Sequence, residues 1–370
     1  MMTRVLVIVS ASALALHAAS LAADSVRGAE LFETLSCVQC HSINGKGGTI
    51  GPDLGQRIDR NFTPASLAAT MWNHAPTMWS AMRERSVPAG DLTEQAAADL
   101  FAYFYAARFF EQPGDAARGK RLFAAKHCAE CHGLTSAIVP EAPPVGQWNV
   151  IRQPIALVTT MWNHAATMRQ EFAKRKISWP ELTAQDLADM LVYLRNVPAG
   201  RSSVSRVEIA SGPNGQALFQ SKGCAACHKD EAALARRIKG QTLTGIGVAM
   251  WNHEPRMAAA PAALEVGEMR EITSYLWAEQ FFSDQGGAAR GARVYSAKHC
   301  AACHDDASSG APKLRGAGRS FTAATMVSVL WRHGPQMLDR MKTKNIAWPR
   351  FEGPDMSNLI AFLNDRSGGK

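Results

Sequence analysis

No cysteine in this chain stands alone. All eight fall in four pairs, each pair separated by two residues. An exported chain with eight cysteines would ordinarily be read as a disulfide framework, and this spacing excludes that reading. There is no acidic excess either. The net charge is +8, with 40 Lys and Arg against 32 Asp and Glu, which suits acidic partners or a prosthetic group carrying its own negative charges. A disorder-type composition is absent, because 46% of the residues are apolar and a core of that size is within reach. Long apolar runs are absent with one exception, "VLVIVSASALALHAASLAA" after Arg4. That stretch predicts a signal peptide over residues 1–23, with Ser20-Leu21-Ala22 as the cleavage site. No Cys lies beside it, so a lipid anchor is not supported. No later segment is long and apolar enough to span a bilayer. The expected product is soluble and exported to the periplasm, with a membrane-anchored form as the alternative.

What the chain does have is one motif four times. Each cysteine pair is closed by a histidine: Cys37, Cys40 and His41; Cys128, Cys131 and His132; Cys224, Cys227 and His228; Cys300, Cys303 and His304. Two thiols about one helical turn apart can reach the two vinyl groups of one porphyrin, and the adjacent imidazole then lies under the iron. A redox C-x-x-C or half of a zinc site would explain the thiols but not the His that follows every time. The expectation is four covalently bound c-type haems, with His41, His132, His228 and His304 as proximal ligands.

The flanking text repeats as well. Nine residues before each first Cys stands a glycine (Gly28, Gly119, Gly215, Gly291), and four residues after each glycine an aromatic (Phe32, Phe123, Phe219, Tyr295). These stretches predict a short helix leading into each Cys pair. Downstream come "MWNHAPTM", "MWNHAATM", "MWNHEPRM" and "LWRHGPQM". Each is followed by an amphipathic helix with an aromatic near its end: Tyr103, Tyr193, Tyr275 and Phe362. Thr93, Thr183 and Pro354 are the expected starts of three of them. The first and second halves match at a constant offset of 172 residues from Phe109 to Phe281 and from Cys128 to Cys300. A two-motif module therefore duplicated. The expected boundaries are 24–112, 113–200, 201–284 and 285–370, called units 1 to 4 below.

Helix, C-x-x-C-H, loops, a distal methionine and a closing aromatic helix resemble class I cytochrome c, over essentially the whole mature chain. The resemblance implies an all-α fold of four tandem domains, each wrapped around one haem. It implies that the N- and C-terminal helices of each unit cross where Gly28 meets Tyr103, Gly119 meets Tyr193, Gly215 meets Tyr275 and Gly291 meets Phe362. It also implies that a proline carbonyl holds the proximal imidazole. Pro52, Pro143 and Pro312 are placed for this, and unit 3 has no such proline.

Two residues per unit compete for the distal iron position. Met78, Met168, Met257 and Met337 are preferred on the Asn-to-Met spacing of similar proteins. His74, His164, His253 and His333 are the alternative, since imidazole is an excellent iron ligand and every unit keeps it. Met71, Met161 and Met250 are read as packing residues, and the Trp residues of the four segments as haem-pocket walls. His127 and His299 are read as surface or haem-edge residues. Lys120, Arg121, Lys126 and Lys298 are a candidate basic docking rim.

The function this implies is a periplasmic tetrahaem cytochrome passing electrons singly between redox proteins of a respiratory chain. The alternatives are the cytochrome subunit of a dehydrogenase complex, or a peroxidase-like haem enzyme with one open iron. No catalytic residue, nucleic-acid partner or transmembrane segment after signal cleavage is expected.

Overall fold

The computed structural model of the chain describes residues 22–55, 63–108, 114–148, 154–196, 209–211, 214–257, 261–283, 286–316, 319–352 and 354–365. The expected signal segment lies outside these, apart from Ala22 and Ala23. Among the described residues no helix is long and apolar enough to cross a membrane.

The described chain is all-α, as expected, apart from two two-stranded ribbons. In order it runs β1 Ala23–Asp24, α1 Ser25–Thr34, β2 Ser42–Ile43, β3 Lys46–Gly47, α2 Pro64–Glu84, α3 Glu94–Arg108, α4 Ala116–Ala125, α5 Pro154–Arg175, α6 Ala184–Arg195, β4 Ala210–Ser211, α7 Asn214–Ser221, α8 Cys224–Cys227, α9 Glu231–Arg237, α10 Leu243–His253, α11 Val266–Phe282, α12 Ala288–Ala297, α13 Ala301–His304, α14 Ala323–Thr343 and α15 Asp355–Asn364. The ribbons pair β1 with β4 and β2 with β3, both antiparallel.

Local chemistry sets the helix starts. Asp24 caps α1 by accepting from the Val26 and Arg27 amides, and Asp115 caps α4 through the Arg118 amide. Thr63, Thr183 and Thr322 open α2, α6 and α14 with capping boxes, each satisfying amides that the first turn leaves unpaired.

The helix before each Cys pair crosses the last helix of the same unit: α1 on α3, α4 on α6, α7 on α11 and α12 on α15. The crossings fall on the expected glycines. A Cβ added at Gly28 would lie 2.8 Å from Cβ of Tyr103, and one at Gly119 2.9 Å from Cβ of Tyr193. The same test gives 2.6 Å for both Gly215 against Tyr275 and Gly291 against Phe362. Behind each glycine the two aromatics meet: Phe32–Tyr103 at 5.8 Å, Phe123–Tyr193 and Phe219–Tyr275 both at 6.0 Å, and Tyr295–Phe362 at 5.3 Å between ring centroids.

The distal segment differs from the turn that the class I resemblance implies. "MWNHAPTM" lies wholly inside α2, and its counterparts lie inside α5 and α14. Only in unit 3 does the helix end at His253, followed by a single 3-10 turn Glu254–Arg256. Pro76 and Pro335 sit within their helices, each removing one i to i−4 hydrogen bond. These long helices also join the units. Helix α2 packs on α14 and on α15, and α5 packs on α10 and on α11. Unit 1 thus docks on unit 4, and unit 2 on unit 3.

Candidate haem sites

Each Cys pair is set by the backbone just ahead of it. Ser36, His127, Gly223 and His299, the residues before the first Cys, all hold a left-handed φ between 60° and 82°. That kink ends the preceding helix and turns the next short helical turn sideways, so both thiols and the following imidazole leave one turn. His127 also binds the Glu130 carboxylate through Nδ1 at 2.6 Å.

The first cysteine of each motif is partly buried and packs against the core. Burial pushes the Cys37, Cys128 and Cys300 thiols up to about 11 and raises Cys224. A zinc site gathers several thiolates or imidazoles around one ion. Among the described residues no three His, Cys, Asp or Glu side chains group as a metal site. Apolar burial does suit a thioether, the bond that joins a cysteine to a porphyrin side chain.

In three units the imidazole expected as the proximal ligand meets the expected proline carbonyl. Nδ1 of His41 lies 3.0 Å from the Pro52 carbonyl, Nδ1 of His132 3.2 Å from that of Pro143, and Nδ1 of His304 2.8 Å from that of Pro312. Each bond fixes the tautomer and leaves Nε2 free for a metal. Among the described residues no hydrogen bond to the His228 ring is present, and its unit lacks the proline.

A second imidazole faces the first. The His41 and His74 rings stand 6.3 Å apart between centroids, and His228 and His253 5.8 Å apart. Burial, with His41 second, lowers the His74 pKa. For His132, burial again leads the lowering, opposed by the Pro143 bond and helped by His164. Nδ1 of His164 lies 2.8 Å from the Thr160 carbonyl of its own helix, which leaves Nε2 free. His333 lies exposed on α14, one turn before Met337. Met78, Met168 and Met337 lie one turn beyond these histidines on the same helices, whereas Met257 follows the 3-10 turn after α10. Met78 packs with Ala75, Trp79 and Leu330 between α2 and α14, while Met168 and Met257 lie against the main core.

Two family models match the chain. The one described as Cytochrome c matches residues 25–105 and 116–198, and the one described as Cytochrome C oxidase, cbb3-type, subunit III matches residues 286–363. The chain is a multi-domain c-type cytochrome. Its cytochrome c domains carry covalent c-type haem and transfer electrons to and from redox proteins. No curated protein and no solved structure matches it.

Some residues of this cytochrome do more than the sequence reading assigned. The Trp side chains read as pocket walls are clasps between units. The Trp162 indole donates to the Ala262 carbonyl, Trp251 to Pro180 and Trp331 to Gly90, at 3.0, 2.9 and 2.9 Å. Their Asn neighbours grip backbone in both directions. Asn73 accepts from the Phe351 amide and donates to its carbonyl, each at 2.8 Å. Asn163 does the same with Leu264 and Asn252 with Leu182. The candidate basic rim is partly committed too, since Lys126 binds the Glu181 carbonyl and Lys298 stands 3.8 Å from Asp355. Lys120 and Arg121 remain exposed.

A buried acid was missed as well. Asp99 and Asp189, almost fully enclosed, accept from Arg27 and Arg118, the residues just before the crossing glycines. Asn358 takes this place in unit 4 with Arg290. The signal was readable: an Arg-Gly pair on one helix, and an acid or amide four residues before the closing aromatic on the other.

Proposed function

We propose that this protein is a tetrahaem electron carrier in which each of the four units, 24–112, 113–200, 201–284 and 285–370, holds one haem. The haems are bound through Cys37 and Cys40, Cys128 and Cys131, Cys224 and Cys227, and Cys300 and Cys303. His41, His132, His228 and His304 are the proximal ligands. His74, His164, His253 and His333 take the distal positions, in preference to Met78, Met168, Met257 and Met337.

The opposed pair His41 and His74 carries this reading. Two metal–imidazole bonds of about 2 Å, plus the ring half-widths, account for roughly 6 Å between centroids, close to the 6.3 Å found. Because α2 continues past His74, Met78 is carried one turn further on, towards α14. When bound, the haem iron supplies reversible one-electron chemistry. The chain supplies the attachment thiols, the oriented imidazoles and an apolar surround. Two imidazoles set a lower potential than imidazole with thioether, which suits low-potential exchange between redox proteins of a respiratory chain. The leading apolar segment of the sequence supports a periplasmic site of action.

Near-infrared magnetic circular dichroism of the oxidised protein tests the ligands, because bis-His and His/Met irons absorb at different energies there. Four bis-His signals are expected. His74→Ala converts about a quarter of the ferric haem to high spin on a one-haem-per-unit count, while Met78→Ala leaves all of it low spin. The opposite result would return the ligand role to methionine, and a high-spin quarter in the unaltered protein would favour the enzyme alternative.

A further inference from the structure

The clasps between units follow a pattern that the order of the chain does not. Unit 1 is held to unit 4 by Asn73 on Phe351, by Trp348 on the Trp72 carbonyl and by the Arg332–Asp91 ion pair at 2.9 Å. Unit 2 is held to unit 3 by Asn163 on Leu264, by Asn252 on Leu182, and by the Trp179 and Trp251 rings stacked at 4.1 Å. An exposed Arg256–Glu181 pair at 3.5 Å adds to it. Unit 1 meets unit 3 where β1 pairs β4, where Ser25 bonds Ile209, and where the Tyr105 and Trp277 rings lie 4.7 Å apart.

These contacts carry a symmetry. The 172-residue offset between the halves takes Tyr105 onto Trp277, so counterpart residues touch each other. The β1–β4 ribbon likewise joins the segments just ahead of the counterpart helices α1 and α7. Self-complementary contact between equivalent residues is the mark of a two-fold interface. Exchanging the two halves converts the unit 1–unit 4 docking into the unit 3–unit 2 docking, so the two clasped interfaces are one interface used twice.

We propose that the four haem-binding units stand in space in the order 4–1–3–2 about this internal two-fold, so that electrons pass 4 to 1, 1 to 3 and 3 to 2 and the ends open to redox partners are units 4 and 2. The inference rests on the one-haem-per-unit reading above. Electron tunnelling falls steeply with separation, so exchange follows contact and not chain order. The contacts here are apolar and aromatic: Trp72, Trp348 and Phe351 fill one junction and Tyr105, Trp277 and Phe281 another. Each redox protein would then dock at an end unit, donating one electron at one end and withdrawing one at the other.

Cross-linking of the full haem-loaded chain tests the order. Arg332→Lys and Arg256→Lys place amines beside Asp91 and Glu181, and a zero-length carbodiimide joins amine to carboxylate only at ion-pair distance. Peptide mapping is expected to link position 332 to Asp91 and position 256 to Glu181. The Lys222–Glu268 pair at 2.7 Å within unit 3 serves as reagent control. That control link without either cross-unit link, or links joining unit 1 to 2 and unit 3 to 4, overturns the order.

A redox arm follows exchange itself. His333→Met marks unit 4 by raising its midpoint. Adding His74→Met is expected to shift that midpoint further, because the two irons are neighbours, whereas adding His253→Met leaves it in place. The reverse pattern overturns the proposal. If His333→Met shifts no midpoint, the ligand reading fails and the cross-links alone decide the order. Intact mass counts the haems independently of both.

Discussion

Trp348 donates its indole N–H to the carbonyl of Trp72, 3.0 Å away across the junction of units 4 and 1. The amide that would bond this carbonyl within the helix belongs to residue 76, which is proline. The helix therefore gives up one internal bond, and another unit supplies the donor. A residue that looks like a helix breaker is here the socket of an interface.

This relationship predicts non-additive energetics. Trp348→Phe keeps most of the stacking but strands the carbonyl, at a cost of about 1 kcal/mol. Pro76→Ala returns an amide to it. The double variant is expected to be less destabilised than the sum of the singles, read from denaturant midpoints of the haem-loaded protein. Strict additivity would mean that the indole and the proline act independently.

The crossing glycines predict a larger effect. At Gly119 an added Cβ would press on the Asp189 carbonyl and lie 2.9 Å from Cβ of Tyr193, with backbone on one side that cannot swing away. Gly119→Ala should force α4 and α6 apart and destabilise unit 2 by about 1–3 kcal/mol. Gly223→Ala, where no atom lies within 4 Å but φ is +82°, should cost less, through backbone strain alone. Thermal unfolding followed at the haem Soret band would rank the two.

Much of this architecture was legible in the sequence. The four glycine–aromatic pairs and the proline carbonyls behind His41, His132 and His304 follow from residue types at fixed offsets, and contacts between such residues are local to one unit. The clasps were not legible. Asn73 grips the backbone of residue 351, and any residue but proline offers the same amide and carbonyl, so no side chain marks the target. The continuous helix through Pro76 was hidden for the same reason, because the donor missing from the Trp72 carbonyl is supplied from 276 positions away by Trp348. The proposed preference for His over Met as distal ligand rests on that helix, because an unbroken α2 carries Met78 towards α14.

Asp189 predicts a pH dependence. Burial alone would push its pKa up, but the Arg118 guanidinium, the Asp115 amide and the Gln185 side chain hold it below the usual carboxylate range. A group with a depressed folded pKa stabilises above its unfolded value, near 3.9, and that contribution is lost as pH falls through the folded value. Arg118 is partly exposed, so solvent screens the pair. Asp189→Ala, which also leaves the Asp115 amide unpaired, should cost about 1–3 kcal/mol at neutral pH. Asp189→Asn should cost less, because Asn358 does the same work in unit 4. It should also flatten the acid limb of the stability curve. An unchanged acid limb in Asp189→Asn would remove this residue from the account.

Unit 3 should stand apart in potential. On the ligand reading proposed above, a carbonyl accepts from Nδ1 of the proximal imidazole in the other three units, which would make it a stronger electron donor to iron and favour the ferric state. His228 has no such acceptor among the described residues, and burial, His253 and Arg237 together lower its pKa. A less basic imidazole stabilises ferric iron less, so the unit 3 haem is expected to have the highest midpoint of the four. Assignment comes from His253→Ala, which should turn that haem high spin, so that the step carrying the high-spin spectral change in a spectropotentiometric titration belongs to unit 3. If the step so marked is the lowest of the four, the missing hydrogen bond is not what sets the order of potentials.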